Sequence, residues 1–203
     1  MQRRLLTVHN YIDTGAWLRT VSSEIPANYY ERGRLFEDAL ARVKGKTPLY
    51  LEFGVWEGES LRWWSKHLTN PAARFVGFDS FEGLPERWNM FVDAGDFALD
   101  NVPQFDDERV SLEVGWFSDT LSTFKVPEHD QLIVNIDSDL YSSAVEVLST
   151  LESYLVPGTL IYFDEFADRD HELRAFKEFL GRTGLQVDAL GHAAGFHWLF
   201  EIK

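Results

Sequence analysis

The stretch Leu49-Tyr-Leu-Glu-Phe-Gly-Val-Trp-Glu-Gly-Glu-Ser60 decides the fold of this chain. It opens with an apolar run, Leu49–Phe53, which a single acid, Glu52, interrupts, and it continues through two glycines, Gly54 and Gly58. The amphipathic pattern that follows is typical of a helix. We therefore predict a buried strand, a tight glycine turn and a helix, which together present backbone N–H groups and a positive helix end to a small polar ligand.

The composition indicates a large core and a strong negative charge. Of the 203 residues, 45% are hydrophobic and 15% aromatic, which is enough to fold one main domain. The net charge of -14, from 33 acids against 19 bases, argues against nucleic acid and anionic membrane surfaces as partners. There is no cysteine and no apolar run of membrane-spanning length, so we expect a cytoplasmic protein without disulfides.

The main domain is predicted over residues 48–203, and residues 1–47 are predicted to form an N-terminal helical extension. Aromatic residues near helical spacing favour packing of this extension against an edge of a sheet. Two alternatives stay open for it, namely a cover over a substrate site and a contact in a homo-oligomer.

The main domain alternates strand and helix patterns, which predicts an α/β fold. Continuous apolar runs indicate a mostly parallel sheet of seven strands with helices on both faces, closed by a C-terminal antiparallel hairpin. Such sheets bind ligands beyond the carboxyl ends of their strands, where this sequence has Gly54, Asp79, Asp137 and Asp164. The long acidic and aromatic connection over residues 82–107 is predicted to be a lid.

The glycine turn is a poor binding site for phosphate groups. Trp56 stands where a dinucleotide fingerprint has its middle glycine, and Glu59 stands where a P-loop has its lysine. S-adenosylmethionine has no phosphate, and Glu52, Gly54 and Gly58 match the first motif of class I methyltransferases. Asp79 suits the ribose of that cofactor but also that of NAD. An NAD-linked oxidoreductase and an inactive S-adenosylmethionine-binding or scaffold protein therefore stay open as alternatives.

Four further motifs together resemble one family. They are residues 77–86 (GFDSFEGLPE), 115–121 (GWFSDTL), 136–143 (IDSDLYSS), and Pro157-Gly158 leading to Asp164-Glu165. This set is similar to the macrocin O-methyltransferases, which are sugar O-methyltransferases of natural-product pathways. The resemblance runs from about Leu49 to about Leu180. It implies a Rossmann-like class I fold, S-adenosylmethionine and a magnesium ion as cofactors, and a small sugar-containing hydroxyl compound as acceptor.

The resemblance also implies roles for individual residues. Asp79 would hold the ribose with Ser80 beside it, and the turn at Trp116, Phe117 and Ser118 would lie near the adenine. The set implied to bind the cofactor is Glu52, Gly54, Val55, Glu59, Ser60, Asp79, Ser80, Trp116, Phe117, Ser118 and Asp137. The carboxylates that match the metal ligands of the family are Asp137, Asp164 and Glu165.

Physical chemistry gives these carboxylates two interpretations. Three unpaired acids at neighbouring strand ends repel one another, and a hard divalent cation such as magnesium would remove that cost. Alternatively, Asp137 and Asp164 only cap helices or bind solvent. We predict that Asp137 serves as the base that takes the proton of the acceptor hydroxyl, with His129 and His171 as rivals. The sequence does not separate a sugar from a catechol-like diol as the acceptor.

Overall fold

A computed structural model describes residues 2–22 and 26–203. Residue 1 and residues 23–25 of the predicted extension over residues 1–47 lie outside the described residues. The helices are α1 (Gln2–Val21), α2 (Arg32–Arg42), α3 (Glu59–His67), α4 (Phe117–Thr123), α5 (Tyr141–Leu151) and α6 (Glu172–Thr183). The strands are β1 (Ala27–Tyr29), β2 (Pro48–Phe53), β3 (Arg74–Asp79), β4 (Val110–Val114), β5 (Gln131–Ile136), β6 (Leu160–Phe163), β7 (Val187–Ala193) and β8 (His197–Ile202). No helix within the described ranges is both long and apolar enough to cross a membrane.

The strands form one sheet in the order β1-β7-β8-β6-β5-β2-β3-β4. β8 runs antiparallel to both of its neighbours, and every other pairing of the described strands is parallel. The mostly parallel sheet with a C-terminal antiparallel hairpin is therefore confirmed. The predicted number of seven strands is wrong, because the described part of the chain forms a sheet of eight. The additional strand is β1, which is only three residues long and partly exposed, and so leaves no apolar run in the sequence.

The opening stretch lies at the centre of this sheet. All six residues of β2 are buried, as its apolar run requires, and β2 pairs with β3 on one side and with β5 on the other. The chain continues from β2 to β3 and β4 in one direction and then returns to β5 and β6 in the other. This reversal of strand order opens a crevice beyond the carboxyl ends of β2 and β5, where ligands of such sheets bind.

The N-terminal segment covers both faces of the sheet. In α1, the Trp17 ring lies 5.5 to 6.0 Å, between centroids, from three phenylalanine rings, namely Phe166, Phe176 and Phe200. In α2, the Phe36 ring lies 4.9 Å from the ring of Tyr162, which belongs to the core cluster on the opposite face. Because α2 packs there, its first residue, Arg32, reaches the crevice.

The connection over residues 82–107 contains no helix or strand, apart from an isolated bridge between Asn89 and Val92. The connection is folded on itself, since Leu84 N–H donates to the Asp96 carbonyl at 3.0 Å. The ring of Phe105, near its end, lies 4.8 Å from the Arg62 guanidinium. The connection is thus held beside α3, the helix that follows the glycine turn.

Candidate active site

A cavity of about 500 Å³ lies beyond the carboxyl ends of the strands, and its volume is within the usual range of small-molecule sites. All residues predicted to bind a cofactor line it, with the exception of Glu52, and so do the three predicted metal ligands. These lining residues are Gly54, Val55, Glu59, Ser60, Asp79, Ser80, Trp116, Phe117, Ser118, Asp137, Asp164 and Glu165. The structure therefore brings residues from five strand ends and their loops to one place.

The backbone of the glycine turn is bound to a side chain of the protein itself. Asp79 Oδ2 accepts hydrogen bonds from the N–H groups of Val55 and Trp56, both at 2.8 Å, and Asp79 Oδ1 accepts one from Phe81 N–H at 2.7 Å. Trp56 adopts a left-handed backbone conformation, with a φ of 47°. Because Asp79 uses these donors and adds a negative charge, the turn does not offer a cradle for a pyrophosphate.

Gly54 is required at the start of this turn for a geometric reason. Its φ is 93°, and a Cβ atom built on it would lie 1.8 Å from the carbonyl oxygen of Asp137. Only glycine allows the ends of β2 and β5 to approach so closely. This approach puts the turn directly beside the Asp137 backbone.

Glu52 lies inside β2 and does not line the cavity. It is 1% exposed, and its Oε2 accepts a hydrogen bond from the Tyr50 hydroxyl at 2.5 Å. Burial raises the pKa of Glu52 to about 8, although the Tyr50 hydroxyl and the nearby Asn135 amide act in the opposite direction. The predicted contact of Glu52 with a cofactor stays a prediction. The contact that the structure shows is the hydrogen bond with Tyr50 inside the core.

Four carboxyl groups that line the cavity have raised pKa values, with burial as the first cause in each, and they are Asp137, Asp139, Glu146 and Glu165. Burial raises the pKa of Asp137 well above its ordinary value, and the charge of Asp164 adds to this effect. Burial and Asp164 likewise raise the pKa values of Asp139 and Glu165, each to about 7. Asp139 and Glu165 can therefore exchange protons near neutral pH, as acid–base chemistry requires.

Asp164 is different because donors of the protein surround it. Its Oδ1 accepts a hydrogen bond from the Tyr162 hydroxyl at 2.8 Å and lies 3.0 Å from His197 Nδ1 and 3.5 Å from Arg32 Nη1. Burial acts to raise the pKa of Asp164, but His197 and Arg32 outweigh it and hold this pKa below its ordinary value. Asp164 is therefore the acid of this group that ionises most readily.

The predicted magnesium site has the right donor chemistry without the right placement. Asp137, Asp164 and Glu165 supply the carboxylate oxygens that magnesium prefers, and all three line the cavity. Within the described ranges, however, no group of three or more His, Cys, Asp or Glu side chains is placed to hold a metal ion. Asp164 is instead paired with His197 and Arg32, so the residues as they stand do not fit the ion.

Two residues of the cavity were missed by the sequence analysis. Asp139 lines the cavity in a left-handed conformation with a φ of 61°. Arg32 lines the cavity from the N-terminal extension. Its position depends on how α2 packs across the sheet, and no local pattern in the sequence indicates it.

Aromatic residues line the cavity on two sides. Trp116 lies in the turn after β4, and Phe117 begins α4. Trp88 and Phe97 come from the connection over residues 82–107, and the ring of Phe97 lies 6.0 Å from that of Trp56, edge to face. The connection thus supplies part of the cavity wall.

Neither histidine considered as a rival base lies in the cavity. His129 precedes β5 and lines a separate depression at the opposite end of the sheet, beside Asp130 and Gln131. His171 accepts a hydrogen bond at Nδ1 from Tyr141 N–H, at 3.1 Å, and so serves the start of α5. Among the three candidates for the base, only Asp137 lines the cavity.

Comparisons with known proteins agree with this geometry. A family model described as a methyltransferase domain matches residues 51–166, which is more than half of the chain. A search of curated proteins returned no significant match. The narrower resemblance to macrocin O-methyltransferases therefore stays a prediction.

Solved structures share the fold. The calicheamicin methyltransferase CalS11 has a TM-score of 0.63 at 24% identity, over 84% of this chain and 80% of its own. The O-methyltransferase NovP has a TM-score of 0.61 at 21% identity, over 84% and 78%. CmcI-D160 with Mg and SAM has a TM-score of 0.59 at 17% identity, over 84% and 70%. At these identities the likeness demonstrates a common architecture.

Proposed function

The chain belongs to the methyltransferase domain family, and from this premise we propose that it transfers the methyl group of S-adenosylmethionine to a hydroxyl group. The acceptor hydroxyl is one of a vicinal pair on a sugar or another natural product. The observation that carries the proposal is the contact between the glycine turn and Asp79, because it takes up the donors that a phosphate-bearing cofactor needs. A dinucleotide is disfavoured on the same ground.

The residues present fit this cofactor. Asp79 accepts three hydrogen bonds, and a carboxylate can accept about four, so an acceptor position is left for a ribose hydroxyl. The aromatic rings of Trp116 and Phe117 offer apolar contact to an adenine. The surrounding carboxylates favour a cationic sulfonium over an anionic cofactor.

The chain's own task in the reaction is to align the acceptor oxygen and to receive its proton. When bound, S-adenosylmethionine supplies an activated methyl group, so much of the rate comes from positioning. Asp137 is the proposed base, since it lines the cavity next to the glycine turn and burial raises its pKa. A raised pKa makes a carboxylate a better proton acceptor for a hydroxyl.

Assistance by a divalent metal is a separate part of the proposal. It is supported by the oxygen donors of Asp137, Asp164 and Glu165, and by the magnesium in the CmcI-D160 structure of the same fold. We derive no step through the ion, because the described side chains are not gathered around one point.

The proposal is tested by a methyl-transfer assay with labelled S-adenosylmethionine and a panel of sugars, glycosides and catechol-like diols. We expect transfer to at least one vicinal diol and none to the matched acceptor that lacks one of the two hydroxyls. Cofactor binding without transfer to any acceptor would indicate a binding or scaffold protein and would contradict the proposal. Activity that survives a chelator would remove the metal from the proposal while leaving the transfer reaction in place.

A further inference from the structure

Arg32 has a special place in the cavity. It is the first residue of α2, and its side chain is 34% exposed. Of the described residues that line the cavity, no other is a lysine or an arginine, whereas the acids there include Glu59, Asp137, Asp164 and Glu165. An anionic group of a ligand that enters this cavity therefore has one cationic side chain to meet.

The present partners of Arg32 leave much of its binding capacity unused. Its Nη2 lies 3.1 Å from Glu59 Oε2, but the Glu59 side chain is 71% exposed, and water screens such pairs strongly. Its Nη1 lies 3.5 Å from Asp164 Oδ1, a long contact to an oxygen that Tyr162 and His197 already approach more closely. A guanidinium has five N–H donors, so several are free for a ligand.

Arg32 also has the right position relative to the glycine turn. Glu59 directly follows Gly58 and opens α3, and Asp164 follows β6, on the far side of β5 from the turn. A group bound to both of these acids spans the carboxyl ends of β2, β5 and β6. The two acids act as positioning residues, because they hold the guanidinium over this part of the crevice.

Resting on the proposed function, we propose that Arg32 binds the α-carboxylate of S-adenosylmethionine. The cofactor carries one carboxylate, and the acidic cavity repels it unless a cation receives it. Arginine is suited to this task, because its planar fork matches the two oxygens of a carboxylate. Arg32 thereby selects a cofactor with an intact amino acid tail.

The experiment compares two ligands by calorimetry, namely S-adenosylmethionine and its decarboxylated analogue, which lacks only the carboxylate. We expect the wild-type protein to prefer S-adenosylmethionine. Arg32→Met should weaken its binding by roughly 10- to 100-fold, as expected when charge-assisted bonds are lost, and should leave binding of the analogue nearly unchanged. Arg32→Lys should show an intermediate preference, because it keeps the charge and loses the fork.

The matched control is Arg34→Met. Arg34 lies in the same helix, its side chain is 63% exposed and pairs with Glu37, and it does not line the cavity. Arg34→Met should therefore keep the wild-type preference for S-adenosylmethionine over the decarboxylated analogue. Two results would overturn the assignment: unchanged affinity of Arg32→Met for S-adenosylmethionine, or an equal loss for both ligands, which means a structural role. If the wild-type protein binds neither ligand, the proposed function itself fails, and this outcome is distinct from the other two.

Discussion

Asp137 is the residue on which the proposed chemistry depends. Replacing it by asparagine keeps the shape of the side chain and removes the proton acceptor. We expect Asp137→Asn to lower kcat by about 10²- to 10⁴-fold, the usual contribution of a general base, with nearly unchanged affinity for S-adenosylmethionine. Steady-state kinetics and calorimetry measure the two quantities separately.

A matched control for this variant is Glu128→Gln, since Glu128 is exposed and precedes β5, away from the carboxyl ends of the strands. Glu128→Gln should leave both kcat and the affinity for S-adenosylmethionine at wild-type values. Loss of cofactor binding together with activity in Asp137→Asn would point to a structural role for this residue, and the assignment as base would then be wrong.

Residues at strand ends could be predicted from the sequence, because their position follows from a local pattern. Asp79, Asp137 and Asp164 each end an apolar run, and parallel strands bring such ends to one edge. Arg32 could not be found in this way, since the packing of a distant helix decides its place. Glu52 lies one residue before the end of β2, and its side chain is buried beside Tyr50.

At the scale of elements, the close approach of β2 and β5 predicts that Gly54 does not tolerate a side chain. Gly54→Ala should lower the free energy of unfolding, because the new Cβ meets the Asp137 carbonyl oxygen and the φ of 93° is strained for alanine. Chemical denaturation measures this loss. The displaced turn should also weaken binding of S-adenosylmethionine.

Gly158→Ala is the control that separates backbone strain from the steric clash of a new Cβ atom. Gly158 has a φ of 92°, but a Cβ atom there meets nothing within 4 Å. It should therefore show only the backbone strain, of the order of 1–3 kcal/mol, and normal cofactor binding. We expect Gly54→Ala to be about 1–3 kcal/mol less stable than Gly158→Ala, as for overpacked sites. Equal stabilities of the two variants would argue against the close approach.

The elements themselves could be predicted where apolar runs are long. β2, β3, β5 and β6 are almost entirely buried, and each leaves a mostly apolar run in the sequence. β1 leaves no such signal, because three partly exposed residues obtain their strand geometry from pairing with β7. The periodicity of hydrophobic residues in a sequence does not predict strands that form only through tertiary pairing.

At the scale of the whole molecule, raised carboxyl pKa values predict how stability depends on pH. Glu52 has a pKa of about 8, and Asp139 and Glu165 have pKa values of about 7. Between their ordinary values and these raised values, the native state holds protons that the unfolded state has released, so stability falls as the pH rises. The raised pKa of His197 acts in the same direction.

We therefore expect the free energy of unfolding of the ligand-free protein to be higher at pH 6 than at pH 8, as measured by chemical denaturation at constant ionic strength. Glu52→Gln keeps an acceptor for the Tyr50 hydroxyl and removes one titrating group. Its slope against pH in this window should be flatter, by up to about 1.4 kcal/mol per pH unit. A stability that rises from pH 6 to pH 8 would show that these groups are ionised in the native protein.

The central claim is that the cavity at the end of β2 binds S-adenosylmethionine and not a dinucleotide. Isothermal calorimetry of the purified protein with S-adenosylmethionine and with NAD tests it most directly. We expect saturable binding of S-adenosylmethionine with a dissociation constant below about 100 μM, which corresponds to at least roughly 5.5 kcal/mol, and no measurable binding of NAD. Binding of NAD in place of S-adenosylmethionine, or of neither ligand, would contradict the account.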